Sequence, residues 1–236
     1  MADKSQTPRM FNSIAHRYDF LNHALSLNID REWRRLLVAE ANVTDGSRVL
    51  DAATGTADVA IEFAHRTRAA WIAGLDPSAG MLDVGRTKLG RDAVAGPRVA
   101  LIEGDALALP FPDASFDAVT IAFGLRNLPD YALGVREMAR VLRPGGKLVV
   151  LEFLPPSGAT RLVFRSYVAT VLPIVGRAIS GSPEAYRYLA SSIGSFIAEA
   201  DVRLLLSGAG LESVGTRRLT FGIAGLHFGK KPSTIR

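Results

Sequence analysis

The chain has 236 residues, 48% of them apolar and 22% charged, with a formal net charge of +5. That length and apolar share suit one domain with a well-buried core and exclude a disordered chain. Cysteine is absent, which excludes disulfides, thiolate metal sites, cysteine nucleophiles and cysteine-held clusters together.

The histidines, His16, His23, His65 and His227, are scattered without metal-ligand spacing. The expectation is no metal site, and a surface or capping place for each ring. The sequence pI near 9.8 fits nucleic acid, an anionic membrane or nothing specific. With arginine dominant and no block of like charges, it is compatible with a membrane surface. Met1 to Gln6 are polar and lead into no long apolar run, and no stretch reaches the roughly 18 apolar residues of a bilayer span. The expectation is a cytoplasmic protein without signal peptide or span, at most peripheral at the inner face of the cell membrane.

Residues 1–8 read as a tail. Phe11 to Ala41 read as helical, with Ile14, Tyr18 and Leu21, then Leu25, Ile29 and Trp33, at helical spacing. Asn22 and Asn28 mark breaks or caps. Segment 1–42 is expected to fold over the sheet's carboxyl edge as a helical lid; a plain packing pair of helices is the other reading. Val43-Thr44-Asp45-Gly46 turns into a first strand, 47–52. A small-residue turn through Thr54, Gly55 and Thr56 leads to a helix ending near 66. Strand, tight turn and helix in this order open an α/β sheet that binds a nucleotide. A second strand, 70–76, ends in Asp76, about twenty residues past the turn, where an acid grips a ribose diol. Neither GxGxxG nor GxxxxGK[ST] occurs. An adenosine cofactor without a pyrophosphate fits better, which points to S-adenosylmethionine.

Asp76-Pro77-Ser78 caps the next helix, with Met81 and Leu82 on its apolar face. The third strand is 98–103, closed by Gly104-Asp105-Ala106. A proline-stiffened loop runs from Leu109 to Asp117, and the fourth strand from Ala118 to Ala122. A helix over 131–142 stops at the turn Arg143-Pro144-Gly145-Gly146, and the fifth strand is Lys147 to Phe153. Residues 157–200 interrupt the alternation. Their stripe Leu162, Val163, Phe164, Tyr167, Val168, Val171 and Leu172, with Arg161 and Arg165 beside it, suggests a helical substrate cover over 157–195. The same stripe also reads as core, as a homodimer face, or as the apolar side of a transient membrane-surface contact. Phe196 to Gly208 read as helix, and Leu211–Thr220 and Phe221–Gly229 as the last strands. The fold expected is α/β, a seven-stranded, mostly parallel Rossmann-like sheet with a late antiparallel hairpin and helices on both faces, as one domain over 1–236.

Several strings carry a likeness. They are Phe11 to Asp19 with Leu21-Asn22, Asp30 to Arg34, Leu50 to Asp58, Gly104-Asp105-Ala106 with Leu109-Pro110-Phe111, Phe123-Gly124-Leu125-Arg126-Asn127, and Tyr188-Leu189 with Ser192-Ile193. Through almost its whole length the chain resembles the UbiE/COQ5 family of quinone C-methyltransferases. The resemblance implies a class I methyltransferase fold, S-adenosylmethionine as cofactor, and a polyprenylated quinol as acceptor. Demethylmenaquinol is the first acceptor, and a ubiquinone-pathway benzoquinol the near alternative. It implies cofactor contacts from Thr56, Asp76, Asp105 and Ala106, and from Ala122, where some relatives carry a contact serine. Arg126 and Asn127 follow the fourth strand, where they would polarise or anchor a quinol oxygen; for Arg126 a structural ion pair is the alternative. Tyr18 and Asp19 are second candidates, from the lid. The chain departs from the family pattern at Ala57, where glycine is usual and alanine does not readily take a positive φ, and at Ala190, where proline is usual. A small-molecule or RNA methyltransferase shares this fold, but no base-flipping string, basic-aromatic cluster or RNA-binding appendage occurs, so no nucleic-acid partner is expected. A dehydrogenase is least supported, lacking both GxGxxG and a Tyr-x-x-x-Lys pair.

Overall fold

The computed structural model describes residues 7–155, 192–194 and 196–233. In chain order the elements are α1 (Thr7–Ser26), α2 (Ile29–Ala41), β1 (Arg48–Ala52), α3 (Asp58–Arg66), β2 (Trp71–Asp76), α4 (Ala79–Leu89), β3 (Val99–Glu103), β4 (Phe116–Ala122), α5 (Tyr131–Val141), β5 (Leu142–Phe153), α6 (Glu199–Gly208), β6 (Glu212–Leu219) and β7 (Ala224–Lys230). The strands lie in the order β3-β2-β1-β4-β5-β7-β6. The first five are parallel, and β7 pairs antiparallel with both β5 and β6.

The central strands read as continuous apolar runs because both sheet faces are covered. Successive side chains alternate between the faces. Leu50, Ala73, Leu75, Val119, Ile121, Leu148 and Val150 pack on one side with Val135 and Met138 of α5 and Val202 and Leu206 of α6. Val49, Ile72, Ala118, Val149 and Leu151 pack on the other with Leu37 and Val38 of α2 and Phe63 of α3. Met81 and Leu82 of α4 are buried as expected, and Ser78 caps that helix by accepting from the Met81 N–H at 3.3 Å.

Several boundaries differ from those read in the sequence. Asn22 lies inside α1, whereas Asn28 marks the break as read, with Leu27 and Asn28 both at left-handed φ (52° and 63°). Helix α1 already includes Thr7 and Pro8. The turn Arg143–Gly146 sits within β5, between the Phe116↔Leu142 and Ala118↔Lys147 pairs, where a register shift absorbs it. Gly145 N–H donates to Lys231 O at 2.9 Å and Lys231 N–H to Gly146 O at 2.8 Å, so the turn is tied to the chain beyond β7. Helix α6 starts at Glu199, and β7 at Ala224, after a 3-10 turn over Thr220–Gly222. His227 is fully buried in β7, with its Nδ1 2.8 Å from Thr216 Oγ1, and burial lowers its pKa to about 4. Its surface-or-cap assignment therefore fails: it is an apolar-sheet residue that stays neutral. The stripe Leu162–Leu172 and Ala190 lie outside the described residues.

An acid is built into the central pair of strands. Asp51 of β1 is 1% exposed. Its Oδ2 accepts from Thr54 Oγ1 at 2.6 Å and its Oδ1 from Thr120 Oγ1 of β4 at 2.8 Å. Gly74 of β2 leaves the room, since a Cβ there would lie 2.9 Å from Thr54 Oγ1. Burial pushes the Asp51 carboxyl up to about 7, against the two hydroxyl bonds and with the neighbouring Asp76 charge adding to the rise. A carboxyl whose folded pKa lies above its unfolded value stabilises the fold at low pH, and that stability is lost as pH rises through the folded pKa. Asp51→Asn should therefore gain on the native protein as pH rises. Between pH 5.5 and 8 the difference in Tm, variant minus native, should widen by about 4–8 °C in thermal scans. A constant difference would mean that Asp51 does not titrate there.

Candidate active site

The sheet order reverses between β1 and β4: β2 and β3 lie outward of β1, and β5 outward of β4. In such a sheet the crevice beyond the carboxyl ends of these two strands is where a ligand sits. The chain leaves β1 through Ala53 (φ 53°), Gly55 (φ 56°) and Ala57 (φ 70°). Ala57 thus takes the left-handed conformation that its replacement of glycine argued against. Such a residue costs roughly 1–2 kcal/mol. Its methyl group is fully buried, and Gly85 of α4 keeps the space around it, a Cβ there falling 3.3 Å from that methyl. Gly124, at the end of β4, is needed for close approach: a Cβ on it would lie 2.6 Å from that of Ala53.

Asp76 ends β2 beside this turn. Its Oδ2 accepts from Gly55 N–H and its Oδ1 from Ser78 N–H, each at 2.9 Å. Burial raises it to about 6 in spite of both bonds. A carboxylate has about four lone-pair positions, so each oxygen keeps one for a diol. Gly104 N–H donates to Asp76 O at 3.2 Å, and this brings Asp105 and Ala106 alongside. Asp105 is exposed, with its Oδ1 taken by Leu107 N–H at 2.9 Å. The Ala106 methyl is buried in the core, and half-buried Ala122 closes β4. A desolvated acid, a turn rich in small residues and a glycine-lined approach fit an adenosine cofactor.

Thr56 is 2% exposed, and its hydroxyl is committed. It donates to Asp19 Oδ1 of α1 at 2.5 Å and accepts from Lys88 Nζ at 3.0 Å. Lys88 also pairs with Asp19 at 2.7 Å and Asp58 at 2.5 Å. Arg34 of α2 reaches Asp58 at 3.3 Å and bonds Asp30. Asn12 Oδ1 accepts from Ser78 Oγ at 2.7 Å and Gly80 N–H at 2.8 Å. The amino-terminal helices are thus fastened to the turn after β1 and to the start of α4.

Past β4 the chain makes a 3-10 turn over Leu125–Asn127. Arg126 is 5% exposed. Its Nη1 donates to Glu152 Oε1 at 2.6 Å and to Phe123 O at 2.7 Å, and its backbone N–H to Glu152 Oε2 at 3.2 Å. The guanidinium carbon lies 6.0 Å from the Phe123 ring centre and 5.5 Å from that of Phe153. Arg126 is ion-paired, the alternative reading of its role, and its buried Nε–H has no hydrogen-bond partner among the described residues. Asn127 Nδ2 donates to Phe123 O at 3.3 Å. Tyr18 of α1 hydrogen-bonds Asn22 and feels the charges of Arg126, Arg34 and Asp76; burial raises its phenol pKa. Arg126, Asn127, Tyr18, Asp76 and the Asp105–Ala106 segment thus gather at one end of the sheet. Two clefts among the described residues open elsewhere, about 580 Å³ between α4 and β3 and about 460 Å³ at the opposite strand ends beside Lys147.

Sequence reading gave no role to the buried acids Asp51 and Glu152, or to Lys88 and Arg34, which fasten the amino-terminal helices. The signal for Glu152 was present: a lone acid in the apolar run Val149-Val150-Leu151-Glu152-Phe153 must be paired if that strand is central.

Comparison with known proteins agrees with this geometry. The pattern of the ubiE/COQ5 methyltransferase family matches residues 1–231. A demethylmenaquinone methyltransferase of Deinococcus radiodurans is 49% identical over 231 residues, covering 97% of this chain and 94% of the relative. One from Thermus thermophilus is 48% identical over 224 residues, 94% of this chain and 100% of the relative. A Geobacter sulfurreducens ubiquinone/menaquinone biosynthesis C-methyltransferase is 44% identical, covering 94% of this chain and 87% of the relative. Among solved structures, a SAM-dependent methyltransferase from Aquifex aeolicus superposes with TM-score 0.58 at 17% identity, covering 84% of this chain and 88% of that one. The [4+2]-cyclase SpnF superposes with TM-score 0.64 at 19% identity, over 99% and 98% of the two chains; the fold alone does not assign chemistry. On the match across nearly its whole length, the chain belongs to the ubiE/COQ5 methyltransferase family.

Proposed function

We propose that this methyltransferase adds a methyl group to a ring carbon of a polyprenylated quinol, with demethylmenaquinol as the acceptor. The relatives named for that acceptor support the reading. The Geobacter relative's name covers both menaquinone and ubiquinone synthesis, so it does not favour the second reading, in which a benzoquinol is methylated. The observation that carries the proposal is Arg126: a buried guanidinium just past β4 with an unspent Nε–H, while Tyr18 feels its charge and that of Asp76 together.

The methyl donor is S-adenosylmethionine, which supplies an electrophilic sulfonium methyl when bound. Asp76 would take the ribose hydroxyls on its free lone pairs, Asp105 and Ala106 would lie along the adenine, and Thr56 and Ala122 would border the site. Arg126 receives the acceptor's phenolic oxygen, and its positive charge favours the phenolate. The hydroxyl proton passes to solvent and electron density rises on the ortho carbon. That carbon would form its bond to the methyl as the sulfur–methyl bond breaks, after which its own hydrogen leaves as a proton and the ring oxygen regains one, restoring the aromatic quinol. Burial keeps the Tyr18 phenol protonated, so Tyr18 can donate a hydrogen bond to the same oxygen, with Asn127 beside it. Helices α1 and α2 act as a lid that excludes water and fixes orientation, the source of much of the acceleration. The acceptor is the reduced quinol, because the oxidised ring is electron-poor.

In a bacterial strain lacking its own quinol C-methyltransferase, expression of this chain should convert accumulated demethylmenaquinone to menaquinone. Arg126→Ala, present at normal level, should leave the precursor in place. Conversion by the variant at the native rate would remove Arg126 from the reaction; no conversion by the folded native chain would remove the acceptor assignment.

A polyprenyl tail is delivered at a bilayer surface. No helix among the described residues is long and apolar enough to cross a membrane, so the proposal is a transient surface contact made by a peripheral protein. Besides the stripe at 162–172, outside the described residues, two exposed tips are suited to it. Leu27 is 80% exposed at the α1–α2 break and Phe221 96% exposed at the β6–β7 turn, both on left-handed residues. The two turns are joined through Trp33 Nε1, which donates to Thr220 Oγ1 at 2.8 Å. With Leu27 and Phe221 changed to serine, turnover of a long-tailed quinol in anionic vesicles should fall several-fold, with turnover of a short-tailed soluble quinol unchanged. Equal turnover in vesicles would place the contact elsewhere, and co-sedimentation of a doubled mass without lipid would favour a homodimer.

A further inference from the structure

We infer that Glu152 is the positioning residue of methyl transfer, acting through Arg126 to present the guanidinium's unspent donor to the acceptor oxygen. The inference rests on the assignment of Arg126 above and goes one residue further, to a side chain that the sequence did not single out.

The geometry is specific to that task. Glu152 is fully buried in β5, one residue from the strand's end. Its Oε1 takes Arg126 Nη1 at 2.6 Å and Phe153 N–H at 2.9 Å, while its Oε2 takes the backbone N–H of Arg126 at 3.2 Å. One carboxylate thereby holds both ends of the same arginine, its main chain and its head group. The bond from Nη1 to Phe123 O and the rings of Phe123 and Phe153 complete the clamp. A guanidinium presents donors in a rigid planar fork. With Nη1 committed to Glu152, the Nε–H lies on the edge shared with Nη2, away from the carboxylate.

A purely structural ion pair would spend its donors. This one is buried among aromatic rings and leaves Nε without a partner, and an unpaired buried donor is costly to keep. The arrangement is explained if the missing acceptor is an oxygen of the substrate. Glu152 has two effects. It holds Arg126 in one rotamer, so the Nε–H points to one place. It also offsets the arginine's charge, so the guanidinium stays buried when no phenolate is present.

The test is a double-mutant cycle on turnover with a short-tailed demethylmenaquinol. Glu152→Gln keeps the shape and removes the charge. It should bind S-adenosylhomocysteine within about twofold of the native protein by calorimetry, yet lose kcat at least about 30-fold, with KM for the quinol changed far less. Arg126→Met, which leaves no unpaired charge when combined with Glu152→Gln, supplies the second arm. In that background Glu152→Gln should cost no further kcat, because its route of action is gone. A kcat for folded Glu152→Gln within threefold of native overturns the inference. So does an equal loss from Glu152→Gln in both backgrounds, which would make Glu152 independent of Arg126. Arg126→Met at native turnover would overturn the Arg126 assignment itself, and the inference with it. Should Glu152→Gln fail to fold, Glu152→Asp keeps the charge but retracts the carboxylate. A folded Glu152→Asp with intact cofactor affinity should show the kcat loss, and native kcat in that variant overturns the inference.

Discussion

The close lateral contact of β1 with β4 is the constraint on which the rest depends. The two strands pair in parallel from Val49↔Ala118 to Ala52↔Ile121, and a buried acid spans the junction, with Asp51 held by Thr54 on one side and Thr120 on the other. Beyond the last pair the chains diverge. One turns through left-handed Ala53, Gly55 and Ala57 into α3; the other turns at Phe123 (φ 54°) into the 3-10 turn carrying Arg126. They diverge without clashing because Gly124 carries no Cβ against Ala53. The crevice is the consequence: two strand ends that lie side by side send their chains in opposite directions.

Into that crevice the fold places charges with little water around them. Asp51 and Asp76 are raised to about 7 and 6 by burial, and the charge of Arg126 is paired with Glu152. Perturbed carboxyls and a buried ion pair at one end of a sheet support the proposed site, since replacing such pairs with apolar groups often leaves stability unchanged or improved. The amino-terminal helices are bound to this region by polar bonds, among them Thr56 to Asp19, Asn12 to Ser78 and Gly80, and Lys88 to two acids. Polar fastenings of this kind can exchange for water more readily than an apolar seam, which suits a cover that must open for an acceptor with a long tail.

Much of the fold was legible because both faces of the sheet are buried: each central strand announces itself as an unbroken apolar run, and Asp51 and Asp76 mark where two of the runs end. The antiparallel hairpin was legible as two final strands, read over Leu211–Thr220 and Phe221–Gly229. Boundaries were harder. Leu27, Thr220 and Phe221 take left-handed φ although none is glycine or asparagine, so only Asn28 signalled the first of those turns. The Arg143–Gly146 turn looked like the end of an element, but tertiary hydrogen bonds from Lys231 keep it within β5. His227 carries no local sign that its strand will be covered. In the site, Arg126, Asn127 and Tyr18 stood out through a family string. The commitment of the Thr56 hydroxyl to Asp19, 37 residues earlier in the chain, and the hold of Glu152 on Arg126 are long-range contacts that only the fold creates.

The central claim is that this crevice joins a sulfonium methyl to the ring carbon of a reduced quinol. The direct measurement is transfer from methyl-13C S-adenosylmethionine to a short-tailed demethylmenaquinol by the purified protein, with the product examined by carbon NMR and mass spectrometry. The account predicts one labelled methyl group bonded to the ring carbon beside a hydroxyl, formed from the quinol and not from the oxidised quinone. Label on oxygen, or equal transfer to the quinone, would contradict it.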